Sequence, residues 1–314
     1  MPLAYPLEPV FKENSGNDAN FFIENFNKRI LVTGANGQLG NEMRLLANEY
    51  PEFEFDFTDI DELDLSKADA VMAYCEKLQP AYIINCAAYT AVDKAEDDTD
   101  LCWLINKDAV TNLAKAANAL HAKILHVSTD YVFDGTNTSP YLESDPVCPV
   151  SAYGKSKLDG EITLLEHCPN SVIVRTAWLY SIYGNNFVKT MIRLGKERES
   201  INVVADQVGT PTYAADLAAA LMDIVDCAEG NQFLPGIYHY SNNGVCSWYE
   251  FTKKIHELAG ITTCKVNPIA TKDYPTRAAR PAYSVLSKQK IKADYGVIVP
   301  QWEDSLSACI ALLK

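Results

Sequence analysis

The feature that most constrains this chain is a glycine turn set between two elements of opposite period. In RILVTGANGQLGNEMRLLANEY, a short run of β-branched and apolar residues from Arg29 gives way to Gly34, Gly37 and Gly40, and these to a pattern of helical period. A strand that turns this tightly into a helix presents free backbone N–H groups and the positive end of a helix dipole at the turn. Glycines let a diphosphate approach the backbone closely, which makes the stretch a candidate dinucleotide site formed by Gly34, Asn36, Gly37, Gln38, Leu39 and Gly40.

The text beyond the turn repeats the alternation. EFEFDFTDID reads as a strand, SKADAVMAYCEKL as a helix and PAYIINCAAYTAV as a buried strand. DLCWLINKDAVTNLAKAANAL is helical, KILHVSTDYVF a strand, AYGKSKLDGEITLLEH a helix and SVIVRTAWLY a strand. Nearly continuous apolar strands separated by helices predict a parallel sheet covered on both faces, an α/β Rossmann-like doubly wound fold. After about Trp178 the rhythm loosens into a smaller mixed α/β lobe, with some segments expected to return to the main sheet. The expected division is an extension over 1–27, an NAD(P)-binding domain over 28–177 and a substrate-binding lobe over 178–314. The extension, rich in proline and polar residues, reads as a poorly ordered segment to which no function is assigned.

Composition narrows the function classes. A formal net charge of −14 repels a phosphate backbone, and no basic stripe offsets it, so a nucleic-acid partner is not expected. Nine cysteines with no CxxC pair and no nearby histidine spacing argue against a metal knuckle and for reduced thiols. With neither a secretory segment nor an apolar run long enough for a bilayer, the expectation is a cytoplasmic protein without a membrane partner. A homodimer through helices such as SKLDGEITLLEH is a further expectation, although covering the sheet already explains their apolar faces.

Three groups carry the chemistry. Asp59, at the end of the second strand and ~20 residues after the turn, is placed to accept hydrogen bonds from ribose hydroxyls and to repel a 2′-phosphate. The turn itself offers no lysine or arginine to such a phosphate, so NADH is favoured slightly over NADPH; Asp61 and Asp64 are alternative carboxylates nearby, and Asp64-Leu65 could instead reach the adenine edge. Tyr153 and Lys157 stand at i and i+4 on one helix face, where an ammonium would lower the phenol toward a working range. Ser128 and Thr129 end a strand at the sheet edge where ligands bind in such folds.

Glycine turn, strand-end hydroxyl and YxxxK in this order resemble the extended short-chain dehydrogenase/reductases. Within that group, the segments CAAYTAVDKAE, STDYVFDG, YGKSKLDGE, RTAWLYSIYGNNFVKTM and DQVGTPTYAADLA resemble the dTDP-4-dehydrorhamnose reductases from about Arg29 onward. The resemblance implies reduction, by NADH or NADPH, of the C4 keto group of a nucleotide-sugar, dTDP-4-dehydro-L-rhamnose. It implies Thr129, Tyr153 and Lys157 as catalytic residues. Ala87, Ala88, Tyr89 and Asn106 would join the cofactor site, and Thr129, Asp130, Tyr131, Trp178, Asn185, Asn186 and Arg280 the sugar pocket. Arg277 and Arg280 are candidate diphosphate ligands, set against ordinary pairing with carboxylates. Glu42 matches a glutamate that helps hold magnesium in some relatives, but no partner ligands are identifiable, and no metal is expected. Related dehydratases carry an Asp-Glu pair after the threonine, whereas Tyr131 follows Asp130 here. Another sugar reductase or epimerase, and a non-enzymatic regulator similar to the β subunit of methionine adenosyltransferase, remain open alternatives.

Overall fold

A computed structural model describes residues 28–313; the N-terminal segment 1–27, with the expectation placed on it, lies outside the described residues. The first half of the chain runs β1 (Arg29–Thr33), α1 (Gln38–Leu46), β2 (Glu54–Thr58), α2 (Ala68–Leu78), β3 (Tyr82–Asn85), α3 (Thr99–Trp103), α4 (Ala109–Leu120), β4 (Lys123–Thr129), α5 (Ala152–His167) and β5 (Ser171–Thr176). The second half runs β6 (Leu179–Tyr180), α6 (Phe187–Glu197), β7 (Ser200–Val204), β8 (Val208–Gly209), β9 (Thr212–Tyr213), α7 (Ala214–Glu229), β10 (Gly236–His239), β11 (Cys246–Ser247), α8 (Trp248–Ala259), β12 (Lys265–Ile269), α9 (Gln289–Tyr295) and α10 (Trp302–Leu312).

Six strands form the main sheet in the order β10-β5-β4-β3-β1-β2, all parallel. This is the doubly wound arrangement the apolar strands predict. Alternation along each strand feeds two separate cores. Ile30, Val32, Ile84, Leu125 and Val174 pack on one face against α1 and α7 residues such as Met43, Leu217 and Leu221. Leu31, Ile83, Ile124 and Ile173 pack on the other against Val71, Val110, Leu113 and Leu164 of α2, α4 and α5. The chain leaves β1 toward β2 on one side and toward β3 on the other. A crevice therefore opens between the carboxyl ends of β1 and β3, where ligands bind in folds of this class.

One difference from the sequence reading has a local cause. The long helix expected over 100–120 is interrupted by a π-helical turn at Leu104–Asp108 between α3 and α4. Asn106 in that turn is drawn inward by hydrogen bonds to the loop after β3, which one extra residue per turn accommodates. Beyond Trp178, β10 adds a sixth strand beside β5 and α7 covers the main sheet. The remaining segments build a smaller mixed lobe. It pairs β7 with β12 and β6 with β9 in parallel and β8 with β11 antiparallel, around Tyr180, Val188, Ile201, Phe251, Ile255 and Leu306.

Candidate active site

The glycine turn sits in the crevice. Gly34 has a φ of +67°, and a Cβ there would lie 2.6 Å from the Ala87 backbone, so only glycine lets β1 and the loop after β3 approach this closely. Gly40 allows the first turn of α1 to pack on the loop: a Cβ on it would lie 2.5 Å from Ala35 Cα. Gly37 caps α1 without any side-chain hydrogen bond, so the N–H groups of Gln38, Leu39 and Gly40 point into the crevice with no side-chain cap. Leu39 itself is buried in the core and offers the site only its backbone. This cradle, which added side-chain atoms would fill, fits a diphosphate.

Asp59 follows β2 and faces the turn. Its Oδ2 accepts the Asn36 backbone N–H at 2.9 Å and its Oδ1 that of Ile60 at 2.8 Å, so it also pins the turn to the second strand. A carboxylate has about four acceptor sites, which leaves capacity for ribose hydroxyls. Asp64 accepts Ser66 N–H at 2.9 Å, and its hydrogen bonds from Ser66 hold the carboxyl below the usual range. The Leu65 carbonyl accepts from Asn112 at 2.9 Å, tying this loop to α4.

Ala87, Ala88 and Tyr89 belong to the loop after β3, whose Ala87 backbone lies against Gly34. Asn106, expected on the cofactor side, is instead fully buried and clips this loop: its Oδ1 accepts Tyr89 N–H at 2.8 Å, and its Nδ2 donates to the Tyr89 carbonyl at 3.1 Å and Ser156 Oγ at 3.0 Å. It holds the loop after β3 in place against α5.

The Thr129, Tyr153 and Lys157 side chains converge at the carboxyl end of β4. Ser151 caps α5 by accepting Gly154 N–H at 3.1 Å, which sets Tyr153 in the first helical turn. The Thr129 hydroxyl favours the ionised Tyr153 phenol, and Tyr131 meets the phenol ring edge-on with centroids 5.4 Å apart. The expected lowering of the phenol by a lysine ammonium is not what this geometry gives. Burial raises the Tyr153 hydroxyl above its ordinary value, more than the Thr129 contact lowers it. Lys157 Nζ donates to the Val127 carbonyl at 2.8 Å and lies 3.2 Å from His126 Nε2. Burial pushes Lys157 down to about 8, against the opposing pull of Glu161 and Cys102.

The residues expected around the sugar divide. Asp130 is buried next to Thr129, whose hydroxyl it accepts at 3.0 Å, while its Oδ2 has no partner among the described residues. Burial raises its carboxyl to about 7. Trp178 takes a φ of +50°, a costly conformation for a bulky residue, and stacks on Trp248 at a centroid distance of 3.5 Å. Asn186 is engaged elsewhere than expected: its Oδ1 caps α6 by accepting Lys189 N–H at 3.1 Å. Its Nδ2 donates to Ser181 O at 2.7 Å and to Gln38 Oε1 at 3.0 Å, joining the glycine turn to the lobe. Asn185 is exposed beside it.

Arg280, expected on the diphosphate, donates from Nη2 to Asp93 Oδ2 at 2.6 Å, with Nη1 buried and unpartnered among the described residues. Arg277 pairs with Asp97. Both guanidiniums thus bind the 93–97 loop, the ordinary pairing set against a ligand role. Glu42 is buried and accepts Ser181 Oγ at 2.6 Å. Burial raises it, and Asp216 adds to the effect.

Several contributors were not legible in the sequence. Trp248 begins α8 behind a Ser247–Glu250 capping box and reads as a core aromatic. Glu161 and Arg175 form a bidentate ion pair with both side chains 2% exposed, and Ser128 donates to Glu161 at 2.5 Å.

Residues 28–314 match the profile described as the RmlD substrate binding domain. The chain is 43% identical over 284 residues to the dTDP-4-dehydrorhamnose reductase of Aggregatibacter actinomycetemcomitans, covering 88% of this chain and 97% of that one. A crystal structure of a dTDP-4-dehydrorhamnose reductase from Clostridium acetobutylicum superposes with a TM-score of 0.86 at 46% identity, covering 91% of this chain and 99% of that one. The dTDP-4-dehydrorhamnose reductase of Bacillus anthracis, solved in complex with NADP, gives 0.86 at 42% identity, covering 91% and 100%. The chain therefore belongs to the RmlD substrate binding domain family, that of the dTDP-4-dehydrorhamnose reductases.

Proposed function

We propose that this protein reduces the C4 keto group of dTDP-4-dehydro-L-rhamnose to dTDP-L-rhamnose with NADH or NADPH. The observation that carries the reading is the convergence of Thr129, Tyr153 and Lys157 beside a glycine cradle at the sheet's switch point, in a member of this family. On this reading residues 28–177 hold the cofactor and 178–314 supply much of the sugar pocket. The glycine turn takes the diphosphate, and the remaining acceptor capacity of Asp59 takes the adenine ribose, favouring NADH slightly. The nine free thiols suit a cytoplasmic setting.

When bound, the reduced nicotinamide supplies the hydride. The chain's own residues manage the proton and the developing charge. A phenol raised by burial stays protonated at neutral pH, which is the form a reduction consumes: the Tyr153 O–H bond breaks as the C4 oxygen gains its hydrogen. Thr129 donates toward that oxygen as charge grows on it, and a cationic Lys157 steadies the phenolate left behind. Asp130, protonated over part of the neutral range, offers a second acid next to Thr129.

The test is loss of nicotinamide absorbance with dTDP-4-dehydrorhamnose, using either cofactor, beside Tyr153→Phe. Substrate-dependent oxidation that falls by at least ~10²-fold in the variant is expected for a lost general acid. Tight dinucleotide binding with no turnover would instead move the reading to a regulatory protein, and isomerised product without net cofactor use would move it to an epimerase.

A further inference from the structure

Lys157 ends a chain of hydrogen bonds whose directions follow one from the next. The Ala87 backbone N–H can only donate, and it reaches Asn85 Oδ1 at 3.1 Å; the Thr33 hydroxyl joins the same oxygen at 2.7 Å. The oxygen end of the Asn85 amide is thereby fixed toward the glycine turn. Its NH2 end meets His126 Nδ1 at 2.9 Å. Because an amide NH2 only donates, Nδ1 is the acceptor and bears no proton. A neutral imidazole then carries its hydrogen on Nε2, and that atom faces Lys157 Nζ at 3.2 Å. Complete burial, reinforced by Lys157, keeps the ring neutral.

An N–H aimed at Nζ is attracted by the lone pair of an amine and repelled by the hydrogens of an ammonium. We propose that His126, held in its Nε2–H tautomer by Asn85, is a positioning residue that donates to the Lys157 amine and so weakens the lysine's hold on its proton. Among the described residues Lys157 meets no other donor. The Val127 carbonyl on β4 accepts from it. Glu161, on its own helix, favours the cation, but Arg175 and Ser128 already engage both carboxylate oxygens. Cys102 on α3 also favours the cation, and Tyr153 lies one turn back on α5. Since Asn85 is oriented by Thr33 and Ala87, the same contacts that shape the cofactor crevice set the charge of the lysine.

The kinetic part of this proposal rests on the reductase reading; the tautomer does not, and the experiment separates them. Long-range proton–nitrogen correlation spectra of the histidine-labelled full chain, with His126→Gln as the assignment reference, should show His126 with a bare Nδ1 and a protonated Nε2 from pH 6 to pH 8. In His126→Gln an amide oxygen can face Lys157 and accept from the ammonium. The Lys157 titration, followed by labelled lysine side-chain carbons, should then rise by about one pH unit, a tenfold gain in proton affinity. The alkaline limb of kcat/KM should rise with it. An Nδ1–H tautomer or a doubly protonated ring in the wild-type protein overturns the proposal, as does an unmoved Lys157 titration in the folded variant. The expected spectra without any turnover would sustain it while removing the reductase reading.

Discussion

Replacing Glu161 by glutamine tests whether the network behind β4 is as isolated from water as its geometry implies. The two carboxylate oxygens accept Arg175 Nε at 2.9 Å, Arg175 Nη2 at 2.7 Å and Ser128 Oγ at 2.5 Å. Both charged side chains are 2% exposed, and the guanidinium has Phe133 as its other close neighbour, its centre 5.1 Å from the ring centroid. The variant keeps the volume but sets an amide NH2 against one group of donors, and it takes from buried Arg175 the carboxylate hydrogen-bonded to it, leaving the charge of Glu143, which is not hydrogen-bonded to it. Breaking such a pair from one side costs about 3–5 kcal/mol, a large part of the ~5–15 kcal/mol that holds a typical domain folded.

Urea unfolding followed by circular dichroism at fixed pH should therefore show a midpoint lowered by that loss, with an unchanged slope. The double variant Glu161→Leu/Arg175→Met removes both charges together. Because a well-packed apolar replacement is often neutral, it should recover most of the loss. A Glu161→Gln protein within about 1 kcal/mol of wild type, the range of exposed ion pairs, would refute the isolation of the pair. A double variant as unstable as the single one would show that lost packing, rather than the orphaned charge, carries the cost.

Other outcomes follow from the same geometry. Gly40→Ala places a methyl group 2.5 Å from Ala35 Cα, backbone that cannot yield cheaply; overpacking of ~1–3 kcal/mol at the cradle should weaken dinucleotide binding by roughly 5- to 150-fold in calorimetry. With Lys157 at about 8, the cation is present below that pH and lost above it, so kcat/KM should fall on an alkaline limb centred there. Asp130 is raised to about 7, so the folded state binds the extra proton and its stability falls as pH rises from about 4 to 7. Asp130→Asn removes that dependence, and its stability relative to wild type should grow by about 2–3 kcal/mol between urea titrations at pH 5 and pH 8.

How far the sequence could be read depends on the range of the interactions involved. The strands, the turn and the first face of α5 are local patterns: period two, period 3.6, glycine where the backbone must close. They placed Gly34, Gly40, Thr129, Tyr153 and Lys157 correctly on elements, because each is set by its neighbours in the chain. Asn186 is set by contacts far away in the chain. An asparagine in a GNNF stretch is equally suited to line a pocket or to cap a helix, and only the fold, which brings Gln38 to it across 148 positions, decides. Arg280 is similar, since its carboxylate lies 187 positions away at Asp93. The π turn at Asn106 had no visible signal, because its cause is the loop after β3 and not the helix itself.

The largest omission has a single physical origin. The face that α5 turns to the sheet carries Tyr153, Lys157 and Glu161 at i, i+4 and i+8, a polar stripe where an apolar one would ordinarily pack. It is buried because β4 presents a matching face: His126 and Ser128, two residues apart, point to the same side of the strand and meet Lys157 and Glu161. Leu31, Ile83 and Ile173 fill the rest of this layer, and the polar patch runs from β4 to the Arg175 of β5 that neutralises Glu161 and, through Asn85 at the end of β3, to Thr33 of β1. Apolar residues at these positions would have made a cheaper sheet. A fold that instead buries histidine, lysine, glutamate and arginine together fixes each by at least one partner, and the lysine and tyrosine rotamers at the open end of the stripe are then held by the layer beneath. The local rule of amphipathic burial fails along α5 at the three positions that set the site.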